Sequence, residues 1–203
     1  RVALKRSSFE KSFAGALSYE SKRSADDKSR LRNDVTGIMS NPITHIGGLW
    51  GALSHVVAGR KACLLERFTV EGWRDSIVRH RPKVAAAVPA SLRMILDANI
   101  PREDLSSLIA IRTGTAPLDP AVAQEFWERY EIPILQNYGA TEFSGAVAGW
   151  TLKDFHKYRE TKSASVGRFQ PGVHGRIVDG ETGKVLPANA EGILEMKAAQ
   201  FGI

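Results

Sequence analysis

Short apolar segments alternate with amphipathic, helix-like segments along the middle of the chain. Residues 84–88 and 108–111 are nearly continuous apolar runs, and each is followed by apolar residues at helical spacing. Strands that are covered by helices on both faces lose the polar alternation of a half-exposed strand. The pattern therefore predicts an α/β fold with a mainly parallel sheet flanked by helices.

Punctuating residues predict where the helices begin and end. Thr69 and Asp119 are suited to cap helices, Pro120 suits a first helical turn, Pro82 stops a helix, and Gly59 suits a helix end. The same reasoning predicts a helix bearing Phe9, Phe13, Ala16 and Leu17, a loop over 21–33, a short buried strand over 62–65, and helix faces that carry Val70, Trp73, Ile77, Leu92, Ile95, Leu96, Val122, Phe126 and Tyr130.

The character of the sequence changes after about residue 160. Segments 173–178, 184–186 and 192–196 have the pattern of hairpin strands, with a glycine-containing turn over 179–183. We therefore expect an α/β subdomain over residues 1–160 and a partial β-rich subdomain over residues 161–203.

Composition and charge exclude several classes of protein. The 203 residues contain one cysteine, which rules out an internal disulfide and favours a reducing cytoplasm. No apolar run approaches the roughly 20 residues of a membrane-spanning helix. The net charge is +6, but most of it lies in residues 1–32, without the aromatic-studded basic stripe of a nucleic-acid groove. We expect a cytoplasmic protein with neither a transmembrane segment nor a nucleic-acid partner.

Two glycine-containing segments follow successive predicted strands. Segment 113–118 follows the strand over 108–112, and segment 138–142 follows the strand over 134–136. Ligands of parallel sheets bind outside the carboxyl ends of the strands, so we expect both segments to face one site. Tyr138 offers a ring for stacking, Thr141 offers a hydroxyl to a phosphate, and Glu142 offers carboxylate oxygens to a divalent cation.

In order and spacing, these segments resemble the adenylate-forming superfamily, which includes acyl-CoA ligases, luciferases and peptide-synthetase adenylation domains. Residues 138–142 are similar to its Tyr-Gly-x-Thr-Glu signature, and residues 42–48 to its Pro-x-x-His-x-x-Gly segment. Residues 113–118 look like its adenine-lining Gly-Gly-Ala-Pro-Leu loop, although Thr113 stands where a glycine is common. Residues 165–172 and 191–195 resemble two later motifs, so the chain resembles an internal fragment of the family's large N-terminal domain.

The resemblance implies a role for each matching residue. Tyr138 would stack on adenine, Thr141 would contact the α-phosphate, and Glu142 would bind magnesium, which makes Thr141 and Glu142 the expected catalytic residues. The expected nucleotide-binding residues are Gly114, Thr115, Ala116, Pro117, Asn137, Tyr138, Gly139, Ala140 and Thr141, and the expected acyl-binding residues are His45, Thr115, Gln136 and Gly139.

Structural explanations of the same residues are also open. Tyr138 could be a core aromatic at a strand end, Glu142 an acid favoured by a helix dipole, and His45 a simple loop residue. The sequence lacks the Gly-x-Ser-x-Gly, Gly-x-Gly-x-x-Gly and Gly-x-x-x-x-Gly-Lys-Ser/Thr motifs, so hydrolase, dinucleotide-binding and P-loop hypotheses have no support.

The resemblance implies an acid–thiol ligase that uses ATP and Mg²⁺ to activate a small-molecule carboxylate as acyl-AMP, and then transfers the acyl group to CoA or another thiol. The family's phosphate loop and the domain with its catalytic lysine are not among these residues. We therefore expect this piece alone to bind weakly and to turn over poorly. A non-catalytic nucleotide- or partner-binding module on the same fold is the alternative.

Overall fold

A computed structural model describes residues 2–20 and 36–201 of the chain. These residues contain six α-helices and nine β-strands, which are joined by loops and turns. Short 3-10 helices cover Arg102–Leu105 and Thr141–Phe143. In chain order the elements are α1 (Arg6–Glu20), β1 (Gly37–Met39), α2 (Ile46–Val57), β2 (Ala62–Leu64), α3 (Val70–His80), β3 (Val84–Ala86), α4 (Pro89–Asp97), β4 (Ala110–Thr113), α5 (Pro120–Tyr130), β5 (Ile134–Ala140), β6 (Gly145–Gly149), α6 (Leu152–Tyr158), β7 (Arg168–Phe169), β8 (His174–Val178) and β9 (Ile193–Lys197).

The largest sheet has the strand order β3-β4-β5-β6-β7. Strands β3, β4 and β5 run parallel, with Ile111 opposite Ile134. Strands β6 and β7 run antiparallel to their neighbours, β1 and β2 form a parallel pair, and β8 and β9 form an antiparallel pair. The predicted α/β class is confirmed, and the antiparallel strands make this sheet a mixed one.

Both faces of the central parallel strands are packed. One core joins buried residues of α3, α4 and α5 to Ile111 and Ile134, and another joins Ala110 and Leu135 to Trp150 and Phe155. Neighbouring residues of a strand point to opposite faces, so the two cores lie on opposite sides of β4 and β5. This burial explains why the strand sequences are apolar at successive positions. As predicted, Trp73, Ile77, Leu92, Ile95, Leu96, Val122, Phe126 and Tyr130 are buried.

The predicted helix ends are confirmed by hydrogen bonds. Thr69 Oγ1 accepts a hydrogen bond from the Gly72 amide at 3.0 Å, and Asp119 Oδ1 accepts one from the Ala121 amide at 2.9 Å. Gly59 follows α2 with a φ of 61°, and its amide donates to the Val56 carbonyl at 3.1 Å. Such caps satisfy backbone groups that have no partner within the helix.

Three strands differ in extent or burial from what the sequence predicts. β2 is not buried, because it pairs only with β1 among the described residues, and Leu64 is 57% exposed. Segment 184–186 does not form the predicted strand, because it has only a single isolated antiparallel β-bridge, between Val185 and Val178. β5 does not end at Gln136 but continues to Ala140, because β6 returns antiparallel and pairs with it. The predicted loop over 21–33 lies outside the described residues.

The C-terminal region contains the expected β-rich elements. β8 and β9 pair antiparallel over their whole length, while β7 joins the main sheet through β6. The division of the chain at residue 160 stays a prediction. Across residues 2–20 and 36–201, no helix combines the length and the apolar character that crossing a membrane would require.

Candidate functional site

The carboxyl ends of β4 and β5 bring two of the predicted segments together. Thr113 lies opposite Gln136 in the parallel register, so Gly114 and Asn137 follow as neighbours at the same edge. A Cβ atom on Gly114 would lie 2.4 Å from Oδ1 of Asn137, a separation too short for non-bonded atoms. Glycine at this position therefore lets the Asn137 side chain pack directly on the backbone of loop 113–118.

Segment 42–48 reaches the same edge from the start of α2. A Cβ atom on Gly47 would lie 3.4 Å from Cγ2 of Thr115 and 3.5 Å from Nδ1 of His45. Gly48 is also tightly packed, because a Cβ there would lie 2.1 Å from the Pro42 carbonyl oxygen. Segment 42–48, loop 113–118 and Asn137 of β5 thus lie together at this edge.

Thr115 holds the least relaxed backbone conformation of this site. Its φ of 71° lies in the left-handed region, which is costly for a β-branched residue, and its side chain is exposed. Thr113, the residue that departs from the family motif, is a buried residue at the end of β4. The conformation that favours glycine is that of Thr115, and nothing in the local sequence indicates it.

His45 has a structural role that the sequence analysis missed. It is the N-cap residue of α2, and its Nδ1 accepts a hydrogen bond from the Gly47 amide at 3.1 Å. Because Nδ1 is the acceptor, the neutral imidazole carries its proton on Nε2. Histidine is not among the preferred N-cap residues, so its position gave no cap signal. The ring is exposed beside Gly47 and Thr115, which leaves the acyl-pocket role as a prediction.

Tyr138 and Gly139 lie on β5 rather than on a turn beyond it. Tyr138 is 38% exposed, so its ring is not a core aromatic. The pairing of β5 with β6 shifts register between Tyr138 and Gly139. A Cβ atom on Gly139 would lie 2.2 Å from the Gly145 carbonyl oxygen. Only glycine therefore allows the two backbones to approach this closely next to the Tyr138 ring.

Thr141 and Glu142 occupy the short turn between β5 and β6. The Ser144 amide donates to the Thr141 carbonyl at 2.9 Å, Phe143 is buried beneath the turn, and Glu142 is exposed. The 3-10 helix spans only Thr141–Phe143, so a long-helix dipole does not explain the acid.

Within residues 2–20 and 36–201, Glu142 does not belong to a cluster of metal-ligating side chains. Among the residues that the structure describes, no group of three or more His, Cys, Asp or Glu side chains could hold a metal ion. Mg²⁺ commonly uses one or two carboxylates together with substrate phosphates and waters. A single exposed carboxylate such as that of Glu142 matches this kind of donor set.

A cleft of about 470 Å³ adjoins this edge at Gln136. Its size is within the usual range of ligand pockets, about 300 to 1,000 Å³. The Trp150 amide donates to the Gln136 carbonyl at 2.9 Å, and the Trp150 indole donates to the Ser165 carbonyl at 2.6 Å. No local sequence signal connects Gln136, Trp150 and Ser165, although residues 165–172 resemble a family motif. Other residues that line the cleft include Leu118, Pro120, Gln124, Trp127, Phe155 and Arg159.

Comparison with known proteins agrees with these motifs. The sequence profile described as "AMP-binding enzyme" matches residues 12–201. The protein named 4-coumarate–CoA ligase-like 6, from Oryza sativa subsp. japonica, is 35% identical over 156 residues, which cover 75% of this chain and 25% of that protein. The chain spans between 25% and 31% of the length of the first curated relatives that it matches.

Solved structures share the fold. The o-succinylbenzoate CoA synthetase of Bacillus subtilis in complex with AMP superposes with a TM-score of 0.80 at 21% identity, covering 100% of this chain and 48% of that one. The same synthetase in complex with ATP and magnesium ion gives a TM-score of 0.78 at 22% identity, covering 99% of this chain and 38% of the other. With the profile match, the motifs and the fold in agreement, this chain belongs to the AMP-binding family of adenylate-forming enzymes.

Proposed function

We propose that this chain is the nucleotide- and acyl-binding part of an AMP-forming acid–thiol ligase. The intact enzyme joins a small-molecule carboxylate to AMP with ATP and Mg²⁺, and then passes the acyl group to CoA or another thiol. The observation that carries the proposal is that Thr115 adjoins Gly47 and that Gly114 adjoins Asn137, which precedes the 38% exposed Tyr138 on β5.

The nucleotide is assigned to the space between loop 113–118 and the end of β5. Tyr138 offers a ring face for the purine, and the small residues Gly114, Ala116 and Pro117 let a flat ring approach the opposite backbone. Asn137, Gly139 and Ala140 complete this wall on β5, and Thr115 borders it on the side of α2.

The phosphates are assigned to the turn after β5. Thr141 would donate its hydroxyl hydrogen to an α-phosphate oxygen, and Glu142 would share a magnesium ion with the phosphates. Attack by a substrate carboxylate oxygen on the α-phosphorus forms the acyl-AMP bond and releases pyrophosphate. Bound Mg²⁺ would neutralise the negative charge that develops there, which is where positioned cations contribute most.

The acyl group is assigned to the side of the site that faces α2. His45, Thr115, Gln136 and Gly139 would form its walls, since Thr115 lies next to Gly47 at the start of α2 and Gln136 lies opposite Thr113 in the sheet. The named relatives support the reaction class, because the first of them carries a CoA ligase name. We further propose a cytoplasmic location, a subdomain boundary near residue 160, and no nucleic-acid partner.

Titration with AMP tests the nucleotide assignment. We expect AMP to bind in the micromolar to millimolar range, and Tyr138→Ala to weaken binding by about 1–3 kcal/mol, the usual contribution of a stacked base. Tyr158→Ala is the matched control, because Tyr158 lies on α6, away from the three motifs, and should leave AMP affinity unchanged. Equal affinities for wild type and Tyr138→Ala would exclude the adenine assignment.

A non-hydrolysable acyl-adenylate analogue separates the ligase from a non-catalytic nucleotide-binding module. A ligase site contacts both halves of the analogue, so it should bind the analogue more tightly than AMP. A site for the nucleotide alone should show no gain over AMP, and that result would favour the non-catalytic module.

A further inference from the structure

The turn that carries Glu142 rests on a tryptophan from α2 and a serine from α1. Gly145, the first residue of β6, has a φ of 139°. A Cβ atom on Gly145 would lie 2.8 Å from Cδ1 of Trp50 and 2.9 Å from Oγ of Ser12. Both side chains therefore touch the backbone at the end of the turn.

Trp50 and Ser12 also bond to each other. The indole Nε1 of Trp50 donates to Ser12 Oγ at 2.9 Å, and Ser12 is only 1% exposed. The Trp50 ring also packs against Phe13, with 5.2 Å between ring centroids. The hydrogen bond and the ring contact together fix the orientation of the indole beneath Gly145.

The backbone above this pair has little freedom to adjust. Ser144 is completely buried with a φ of 54°, so two consecutive residues with positive φ return the chain into β6. The Ser144 amide is held by the Thr141 carbonyl, and the Phe143 ring packs edge-on against Phe201 at 5.4 Å. A movement of the Trp50 or Ser12 side chain would therefore displace Gly145, and with it Thr141 and Glu142.

We propose that Trp50 and Ser12 are positioning residues for the Glu142 carboxylate. Their hydrogen bond fixes how far the β5–β6 turn lies from α1 and α2. It thereby sets the distance from the Glu142 carboxylate to the nucleotide phosphates. The inference rests on the proposed function, because it takes Glu142 as a magnesium ligand. Neither Trp50 nor Ser12 is assigned a contact with nucleotide or acyl group.

ATP affinity measured with and without Mg²⁺ tests this role. Trp50→Phe keeps an aromatic ring but removes the N–H donor, and Ser12→Ala removes the acceptor. Each variant should reduce the Mg²⁺-dependent gain in ATP affinity by roughly threefold to tenfold, the equivalent of one hydrogen bond. The affinity for adenosine, which has no phosphate to reach the turn, should be unchanged. The double variant should lose no more than either single variant, since both remove the same bond.

Trp73→Phe is the matched control for a purely structural effect. Trp73 is completely buried in the main core, and its indole donates to the Ala86 carbonyl at 3.2 Å. This variant should lower the thermal midpoint at least as much as Trp50→Phe, yet keep the full Mg²⁺-dependent gain. Glu142→Gln gives the reference for complete loss of that gain.

The outcomes distinguish this inference from the proposed function. If AMP binds through Tyr138 but Trp50→Phe and Ser12→Ala keep the Mg²⁺-dependent gain, the positioning role is wrong and the ligase assignment stands. If wild type binds AMP but shows no gain with Mg²⁺, the metal role of Glu142 fails, and this inference with it. If AMP affinity does not depend on Tyr138, the proposed function itself fails. Should Trp50→Phe not fold, Ser12→Ala alone decides the positioning role.

Discussion

Gly139 of β5 and Gly145 of β6 lie against each other across the strand pair, with 2.2 Å between an ideal Cβ on Gly139 and the Gly145 carbonyl oxygen. The contact lies between Tyr138, which is assigned to the purine, and the turn that is assigned to the phosphates. The spacing of these two groups therefore depends on a position that accepts no side chain.

Gly139→Ala should destabilise the fold and weaken nucleotide binding together. The added methyl group meets backbone atoms rather than a flexible side chain, so the strands must separate. We expect a loss of about 1–3 kcal/mol in unfolding free energy, as for other overpacked sites, measured by urea denaturation. AMP affinity should fall as well.

Gly51→Ala is the control for the Gly139 variant. A Cβ on Gly51 would meet only Cε of Met39 at 3.8 Å, and Gly51 is inside α2. Alanine favours the helix over glycine by about 1 kcal/mol, so this change should stabilise the chain without affecting AMP binding. A Gly139→Ala variant as stable as wild type would contradict the close approach of β5 and β6.

Thr115→Gly should raise the unfolding free energy. Relief of the left-handed strain is worth about 1–3 kcal/mol, and the greater freedom of glycine in the unfolded chain offsets about 0.4–1 kcal/mol of it. Denaturant unfolding measures the balance. The control is Asn189→Gly, at a φ of 68° in a distant turn, where asparagine already tolerates this conformation. A loss of stability on Thr115→Gly would contradict a strained backbone at Thr115.

Asp179 makes the stability of the folded chain depend on pH in the acidic range. Hydrogen bonds from the amide and hydroxyl of Thr182, and from the Glu181 amide, lower the pKa of this carboxyl below its ordinary value of 3.8. A carboxyl with a lowered folded-state pKa contributes stability above its unfolded-state pKa and loses it as the pH falls through the folded-state pKa. Asp179→Asn should therefore lower the thermal midpoint at pH 7, and the difference from wild type should shrink below pH 3.8.

Glu181→Gln serves as the control for the Asp179 variant. The Glu181 side chain has no assigned role in the turn, while its amide, which is unchanged by the substitution, continues to donate to Asp179. Its thermal midpoint should follow that of wild type across the same pH range. A constant difference between Asp179→Asn and wild type from pH 7 to pH 2 would exclude the ionised carboxyl as the source of the effect.

The parts of the fold that could be predicted from sequence are those that local chemistry determines. The caps at Thr69 and Asp119 depend on side chains next to the helix that they start, and the buried strand residue Ile111 belongs to a continuous apolar run. The extent of β5 could not be predicted, because Gly139 and Ala140 become strand residues only through pairing with β6. The glycine-containing sequence of residues 138–142 instead indicated a turn directly after residue 136.

The arrangement of the candidate site was predictable only in part. The parallel register of β4 and β5 brings Gly114 to Asn137, which follows from the expected topology. The positive φ of Thr115 and the cap at His45 depend on how α2 packs on the loop, which is a contact between distant segments. The position of Trp50 under Gly145 emerges only from the tertiary structure.

Strand β5 is hydrogen-bonded to a parallel neighbour, β4, on one edge and to an antiparallel neighbour, β6, on the other. The antiparallel side is a hairpin closed by the residues from Thr141 to Ser144, whereas the parallel side requires the whole of α5 as a crossover. Short-range pairing forms with the smaller loss of chain entropy. We therefore expect the turn from Thr141 to Ser144 to form first during folding. The proposed purine site between loop 113–118 and β5 would be completed only when β4 pairs with β5.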